Sequence, residues 1–288
     1  MLTPLEAHLA CVLLFAGDLI ARALRLRWYL HGLGHRVSFG EALECNAWGD
    51  AAAGLTPMRF GGELAKFARL VRARVPAPRA VLALGLEVIV TYPLVALFGG
   101  WLAWRFAPAW WDQARPTLLT ALAGRWPWAA AVAVLTLLVG LGTWWRRKDE
   151  AGTDPIEPLS ARSLPAWPLL AAIPLSLFNI VARTLMLPLL ALTLPVHPEL
   201  GIMALGSFVL LYSQLILPTP AGAGAVDLAF LAGMAGDLGA ENTGLLVAWR
   251  FYTVGAGALF GAALALRTLG ARPLTRVVSR VVGRSRPA

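Results

Sequence analysis

The 288-residue sequence has little of what a soluble or secreted domain uses. Charged residues are only 14% of it, and there are two cysteines and four histidines. Cys11 and Cys45 both lie in apolar segments, which excludes a disulfide framework and a cysteine metal site and leaves them as small buried hydrophobes. His8, His31, His35 and His197 are scattered near predicted interfaces and form no ligand set. No nucleophile elbow, HExxH pair, Walker loop or acid pair on a soluble domain is present, so no enzyme activity is expected. "GAGA" at 222–225 has no strand before it, so neither a nucleotide site nor any other cofactor is implied. Lysine is scarce as well: 23 of the 25 cations are arginine, against 16 acids, for a net charge of +9. In a soluble protein that balance would suggest nucleic acid. In this chain the positive-inside rule accounts for it, and no nucleic-acid partner is expected.

What is abundant is apolar. Hydrophobic residues make up 58% of the chain, and its mean hydropathy is +0.66. Windows at 80–104, 126–145, 166–194 and 243–266 reach the roughly 20 residues that a spanning helix needs. Only helices satisfy their own backbone over such a length, so the fold class is all-α: a polytopic helical membrane protein. The N-terminal run carries its arginines after the apolar stretch, and is read as a retained first helix rather than a cleaved signal peptide. Many of the twelve tryptophans fall near predicted span boundaries, as aromatic belts require.

Twenty cations cluster in four places: Arg22 to Arg36, Arg59 to Arg79, Arg146 to Arg162 and Arg267 to Arg286. All four are expected on the cytoplasmic side. The first two flank an apolar stretch, which must then enter and leave by one face. A re-entrant hairpin at 40–75 fits, broken at Thr56 and Pro57 and loosened by Gly61 and Gly62. A second, at 200–236, is broken by "PTPAGAGA", with Pro218, Pro220, Gly222 and Gly224 as its punctuation, and it lacks flanking cations. It is expected to dip from the outside. "TPMRFGGELAKF" at 56–67 and "TPAGAGAVDLAF" at 219–230 share the order Thr-Pro, small residues, acid, Leu-Ala, Phe. Two related hairpins from opposite faces describe an inverted-topology repeat, whose broken segments mark a binding site. The expected organisation is a single transmembrane domain, 1–288. It comprises a first half 1–125, a connecting helix and cytoplasmic linker 126–165, a second half 166–268, and a basic cytoplasmic tail 269–288.

Arg59, Glu63, Lys66 and Arg69 recur at helical spacing on one face. Lys66 and Arg69 are read as a solvated cytoplasmic face. Arg59 and Glu63, nearest the break, are either a structural pair or a headgroup contact. Asp227 is the counterpart acid of the second hairpin, and Glu87, Arg183 and Arg250 fall inside predicted spans. These charges either neutralise one another or line a path for a polar headgroup or proton. Asp18 is read as a local partner of Arg22 near the cytoplasmic end. Guanidinium groups suit phosphate oxygens, so Arg59, Arg183 and Arg250 point to an anionic phospholipid or polyprenyl phosphate.

"NAWGDAAAGLTPMRFGGELAKFARL", "LPTPAGAGAVDLAF" and "AWRFYTVGAGALFGA" resemble, in order and spacing, signatures of the lysylphosphatidylglycerol synthase transmembrane-region family, also called flippase-like membrane proteins. By that resemblance Asn46, Pro57, Arg59, Gly62 and Glu63 belong to the first signature. Pro218, Pro220, Gly222, Gly224 and Asp227 belong to the second, and Arg250 to the last. Asp227 stands where the family has glutamate, and Ala221 where it has glycine. The resemblance implies a stand-alone lipid translocator without the aminoacyl-transferase domain that some members carry. The expected function is movement of an anionic lipid between leaflets of the inner membrane by alternating access, downhill or coupled to protons through Glu63, Asp227 or Glu87. Two alternatives remain: a membrane-embedded lipid transferase with Glu63 or Asp227 as base, and a non-transporting, lipid-binding partner of a cytoplasmic lipid-synthesis enzyme.

Overall fold

A computed structural model describes residues 2–122, 166–194, 199–217, 219–233 and 239–269. The helix expected at 126–145, the linker after it, Pro218 and the basic tail beyond 269 lie outside the described residues. Nine α-helices are described: α1 Pro4–Gly32, α2 Phe39–Leu55, α3 Gly61–Arg72, α4 Ala77–Leu122, α5 Ala166–Ala191, α6 Leu200–Ser213, α7 Ala225–Gly233, α8 Gly239–Arg250 and α9 Ala256–Leu269. A π turn, Phe251–Gly255, joins α8 to α9 in one continuous rod. No strand occurs among the described residues. Spans Ala77–Ala109, Ala166–Ala191 and Thr243–Thr268 are long and apolar enough to cross a membrane, close to three of the predicted windows.

Local chemistry sets the helix ends. Thr3 and Ser38 begin α1 and α2 with reciprocal capping boxes to Glu6 and Glu41, which satisfy amides the helix cannot. At the other end of α2, Pro57 pushes the residue before it out of helical geometry, and Thr56 is extended with φ −113° and ψ 144°. Thr56 Oγ1 then donates to Ala52 O at 2.8 Å and accepts from Gly61 N at 2.9 Å, tying both limbs to the break. The reversal itself falls on Met58 and Arg59, with φ of 52° and 58°. Two successive non-glycine residues in the left-handed region are strained, and such strain concentrates at functional sites.

Gly61 and Gly62, expected to loosen the returning turn, serve close packing instead. A Cβ on Gly61 would meet Thr56 at 2.7 Å, and one on Gly62 would meet Ala53 at 3.0 Å. Along this seam Ala53 faces Gly62, Gly49 faces Lys66 and Glu44 reaches Arg69, so α2 and α3 run antiparallel as a helical hairpin. On another side α2 lies against α9, where a Cβ on Gly261 would sit 1.8 Å from Ala47 O.

Two apolar cores flank the middle of the molecule. One joins α1 to α4 through Leu26, Tyr29, Leu30, Cys45, Leu70 and Leu84. The other joins α1, α5, α6, α7 and α8 through Cys11, Met186, Met203, Phe230 and Trp249. Burial is otherwise inverted relative to a soluble protein. Leu97 and Trp104 are 71% and 80% exposed, while Asp18 and Arg25 are 0% and 2% exposed. Apolar side chains outside and paired charges inside are what lipid as solvent selects, and the protein is integral to a membrane.

Candidate functional site at the meeting of two helix breaks

The chain is broken a second time between α6 and α7. Ala221, Gly222 and Gly224 take φ values of 49°, 69° and 83°. Glycine is needed at 222 for space as well, since a Cβ there would meet Val226 at 2.6 Å. Asp227, in the first turn of α7, accepts from Gly224 N at 2.9 Å, as a capping acid does. Arg250 fastens the same break: its Nε donates to Asp227 Oδ1 at 2.6 Å and its Nη1 to Ala221 O at 2.8 Å. Asp227 and Arg250 therefore form one pair that shapes the second break.

Ala221 carries a left-handed conformation that costs an L-residue about 1–2 kcal/mol. Ala221→Gly is expected to leave stability unchanged or raise it by up to about 1 kcal/mol, part of the gain being offset by a more flexible unfolded chain. Chemical denaturation in detergent would show it, and a clear loss of stability would refute the strain at this position.

The two breaks touch. Pro57 and Pro220 form an isolated antiparallel bridge, and Met58 N donates to Leu217 O at 3.2 Å. Across this junction Arg59 Nη1 donates to Gln214 Oε1 at 3.1 Å.

Around it the interior charges sort into networks. Arg22 forks onto Asp50 at 2.9 and 2.7 Å and reaches Asp18 at 3.1 Å. Arg183 meets Asp18 at 3.2 Å and Asp50 at 4.0 Å, and Asn179 Nδ2 donates to Asp18 as well. Farther along α1, Arg25 donates to Glu87, to Thr91 at 3.1 Å and to Ser176 at 2.8 Å. Lys66 bridges Glu87 at 3.2 Å and Glu63 at 3.0 Å. Arg69 is bound by Glu44 at 2.6 Å. Each network balances its charges.

Arg59 is different: no carboxylate among the described residues lies within ion-pair distance of it. Its hydrogen-bond partner is the neutral amide of Gln214. The charged groups that act on it most strongly are Arg183, Asp50, Arg22 and Arg250, three cations and one acid. Arg22, Arg183 and Arg250 are each paired with a carboxylate, so the positive charge left over at the junction of the breaks is that of Arg59 itself. Such a place can hold an anion without the bundle having to separate any existing pair.

Of the residues singled out from sequence, Arg183 and Arg250 both act on the charge of Arg59, and Asp227 joins this group through Arg250. Glu63 and Glu87 belong instead to the Lys66 network. Two expectations need correction. Lys66 and Arg69, read as a solvated face, are 8% and 7% exposed and paired, because α3 turns that face onto α2 and α4. Arg59 and Glu63 do not pair, since the left-handed turn sends Arg59 toward the second break while Glu63 stays with Lys66. The expected pairing of Asp18 with Arg22 is present, and Asp18 is in addition fully buried and joined to Arg183. Sequence reasoning passed over Asp50, Arg25, Glu44 and Gln214. The one available signal was α1, where residues 18, 22 and 25 put three charges on one face of an apolar helix.

No curated protein and no solved structure matches the chain. The family model described as "Lysylphosphatidylglycerol synthase TM region" matches residues 3–276, a span that takes in both breaks and every charge network described above. The chain therefore belongs to the lysylphosphatidylglycerol synthase TM-region family, membrane proteins tied to lipid handling.

Proposed function

We propose that the protein is a lipid translocator of the inner membrane that passes the anionic headgroup of a phospholipid or polyprenyl phosphate between leaflets. The observation that carries this reading is Arg59, held at the junction of two helix breaks with a neutral amide for its partner. In this reading α2–α3 and α6–α7 are re-entrant hairpins of an inverted repeat, dipping from the cytoplasmic and outer sides, with the basic C-terminal tail cytoplasmic. Their meeting tips, joined by the Pro57–Pro220 bridge and the hydrogen bond from Arg59 to Gln214, are the thin barrier that alternating access would open. Acyl chains stay in lipid while the headgroup crosses beside Arg59. Asp227 already has a partner on each oxygen and serves to shape the hairpin. Glu63, whose side chain is 54% exposed, is the acid through which proton coupling would enter, by way of Lys66 to Glu87.

The reading involves no covalent change in the lipid. Purified protein in phosphatidylcholine liposomes with labelled phosphatidylglycerol is expected to change lipid sidedness and leave lipid mass unaltered. A hydrogen bond to a charged group is worth about 1.5–3 kcal/mol, so Arg59→Gln is expected to slow transfer about ten- to hundredfold. An unchanged rate in Arg59→Gln would exclude the headgroup path drawn here. A lipid product of new mass would make the protein a transferase. Absence of transfer, with a cytoplasmic synthase co-purifying in equal amount, would make it a non-transporting partner.

A further inference from the structure

We infer that Gln214 is the specificity-determining residue of the junction: its neutral amide keeps the charge of Arg59 uncompensated and adds a second donor for a phosphate oxyanion. The inference rests on the translocator reading for its biological setting and on the geometry of Gln214 for its content.

Gln214 follows α6 directly and is 1% exposed. Arg59 can only donate, so the amide oxygen must face the guanidinium and Nε2 is turned away from it. That Nε2 has no hydrogen-bond partner among the described residues, and neither does the hydroxyl of Thr219 on the segment that crosses Pro57. They are two of nine such buried groups among the described residues, and what sets them apart is their place at the junction beside Arg59, where an acceptor from outside the chain would satisfy them. What Arg59 and Gln214 Nε2 have in common is that both donate. A ligand that satisfies them must bring acceptor oxygens and a negative charge, which a phosphate oxyanion does and an ammonium does not. A glutamate at 214 would keep the same length and reach, but it would close a buried ion pair with Arg59. The other interior networks take that form, which is why the amide here is informative.

The test compares Gln214→Glu with Gln214→Met, using proteoliposomes that contain labelled phosphatidylglycerol or labelled phosphatidylcholine. Gln214→Glu is expected to lower the preference for phosphatidylglycerol over phosphatidylcholine about tenfold: both lipids carry the phosphate oxyanion, and pairing Arg59 removes the positive charge that repels the choline ammonium. It should do so without a lower melting temperature, since the new pair draws the breaks together. Gln214→Met keeps the charge of Arg59 exposed to ligand, and is expected to retain the preference at a reduced rate. Equal loss of preference in both variants would mean that the residue only packs, and would overturn the proposal. So would a wild-type preference in Gln214→Glu. If Gln214→Glu does not assemble, Gln214→Met decides alone: it must keep the preference and transfer phosphatidylglycerol more slowly, and an unchanged rate would overturn the proposal.

A binding measurement separates this inference from the reading beneath it. Phosphatidylglycerol in detergent micelles should raise the melting temperature of the wild-type protein and not that of Gln214→Glu, even if neither lipid crosses liposome membranes. Transfer would then have failed as a function while the oxyanion site stood. Equal protection by inorganic phosphate would show that the site takes the free anion and would overturn the lipid headgroup as its ligand.

Discussion

Asp50→Ala is expected to cost about 3–5 kcal/mol of stability, the usual consequence of removing one member of a buried ion pair. Arg22 places both terminal nitrogens on Asp50, and the two side chains are 8% and 10% exposed. Without Asp50, two guanidinium groups, Arg22 and Arg183, would share the single charge of Asp18. The guanidinium of Arg22 already has an unpartnered Nε, so it has no spare acceptor to turn to. The same loss would remove the charged tie of α2 to α1 and α5. Asp50→Asn keeps an acceptor and the shape, and should fall between wild type and alanine. Unfolding of the three proteins by denaturant in detergent checks the order, and an Asp50→Ala midpoint equal to wild type would show that the network contributes nothing to the fold.

Gly261→Ala is expected to be as damaging, for a steric rather than an electrostatic reason. The added carbon would lie 1.8 Å from Ala47 O and 2.6 Å from its carbonyl carbon. Both are backbone atoms of α2 and have no rotamer by which to escape, so the helices must part. Overpacking in a tight core costs about 1–3 kcal/mol, and more where backbone has to shift. Parting the helices would also draw α9 away from Asp50, which a Cβ on Gly257 would approach to 3.1 Å. Gly206→Ala is the matched control, for a Cβ there meets nothing within 4 Å. It should leave stability unchanged or raise it by up to about 1 kcal/mol through helix propensity. Similar behaviour of the two variants would refute the close α2–α9 approach.

The sequence exposed the breaks but not their chemistry. Proline after threonine, followed by small residues, announces an interrupted helix because proline's restriction on its neighbour is local. For the same reason the ends of α2 and α3 lay within a few residues of expectation. Pairings are not local. Arg183 could be read as a buried cation from its apolar neighbours, but its partner Asp18 lies 165 positions away. Asp18 itself has an arginine at i+4, and that sufficient local explanation concealed the longer one. Asp50 sits among small residues in a limb too short to count as a span, so nothing in its surroundings marked it as buried. Lys66 and Arg69 show the reverse error. Charge at helical spacing normally marks a wet face, and only the acids brought in by α2 and α4 turn that face inward. Gln214 was overlooked because an uncharged residue raises no alarm in an apolar run.

The π turn at Phe251–Gly255 has its consequence in angle. Gly257 and Gly261 stand seven and eleven positions after Arg250, and on an unbroken α-helix, at about 100° per residue, both would share its face to within about 20°. A π turn takes up one residue more than an α turn. It rotates everything after it by about a quarter of a revolution. The glycines can then press against α2 while Arg250 reaches sideways to Asp227 and the second break. The last helix works as a shaft with a keyed offset. The number of residues in that turn, more than their identity, keeps the tightest helix contact and the clasp on the second break in step with each other.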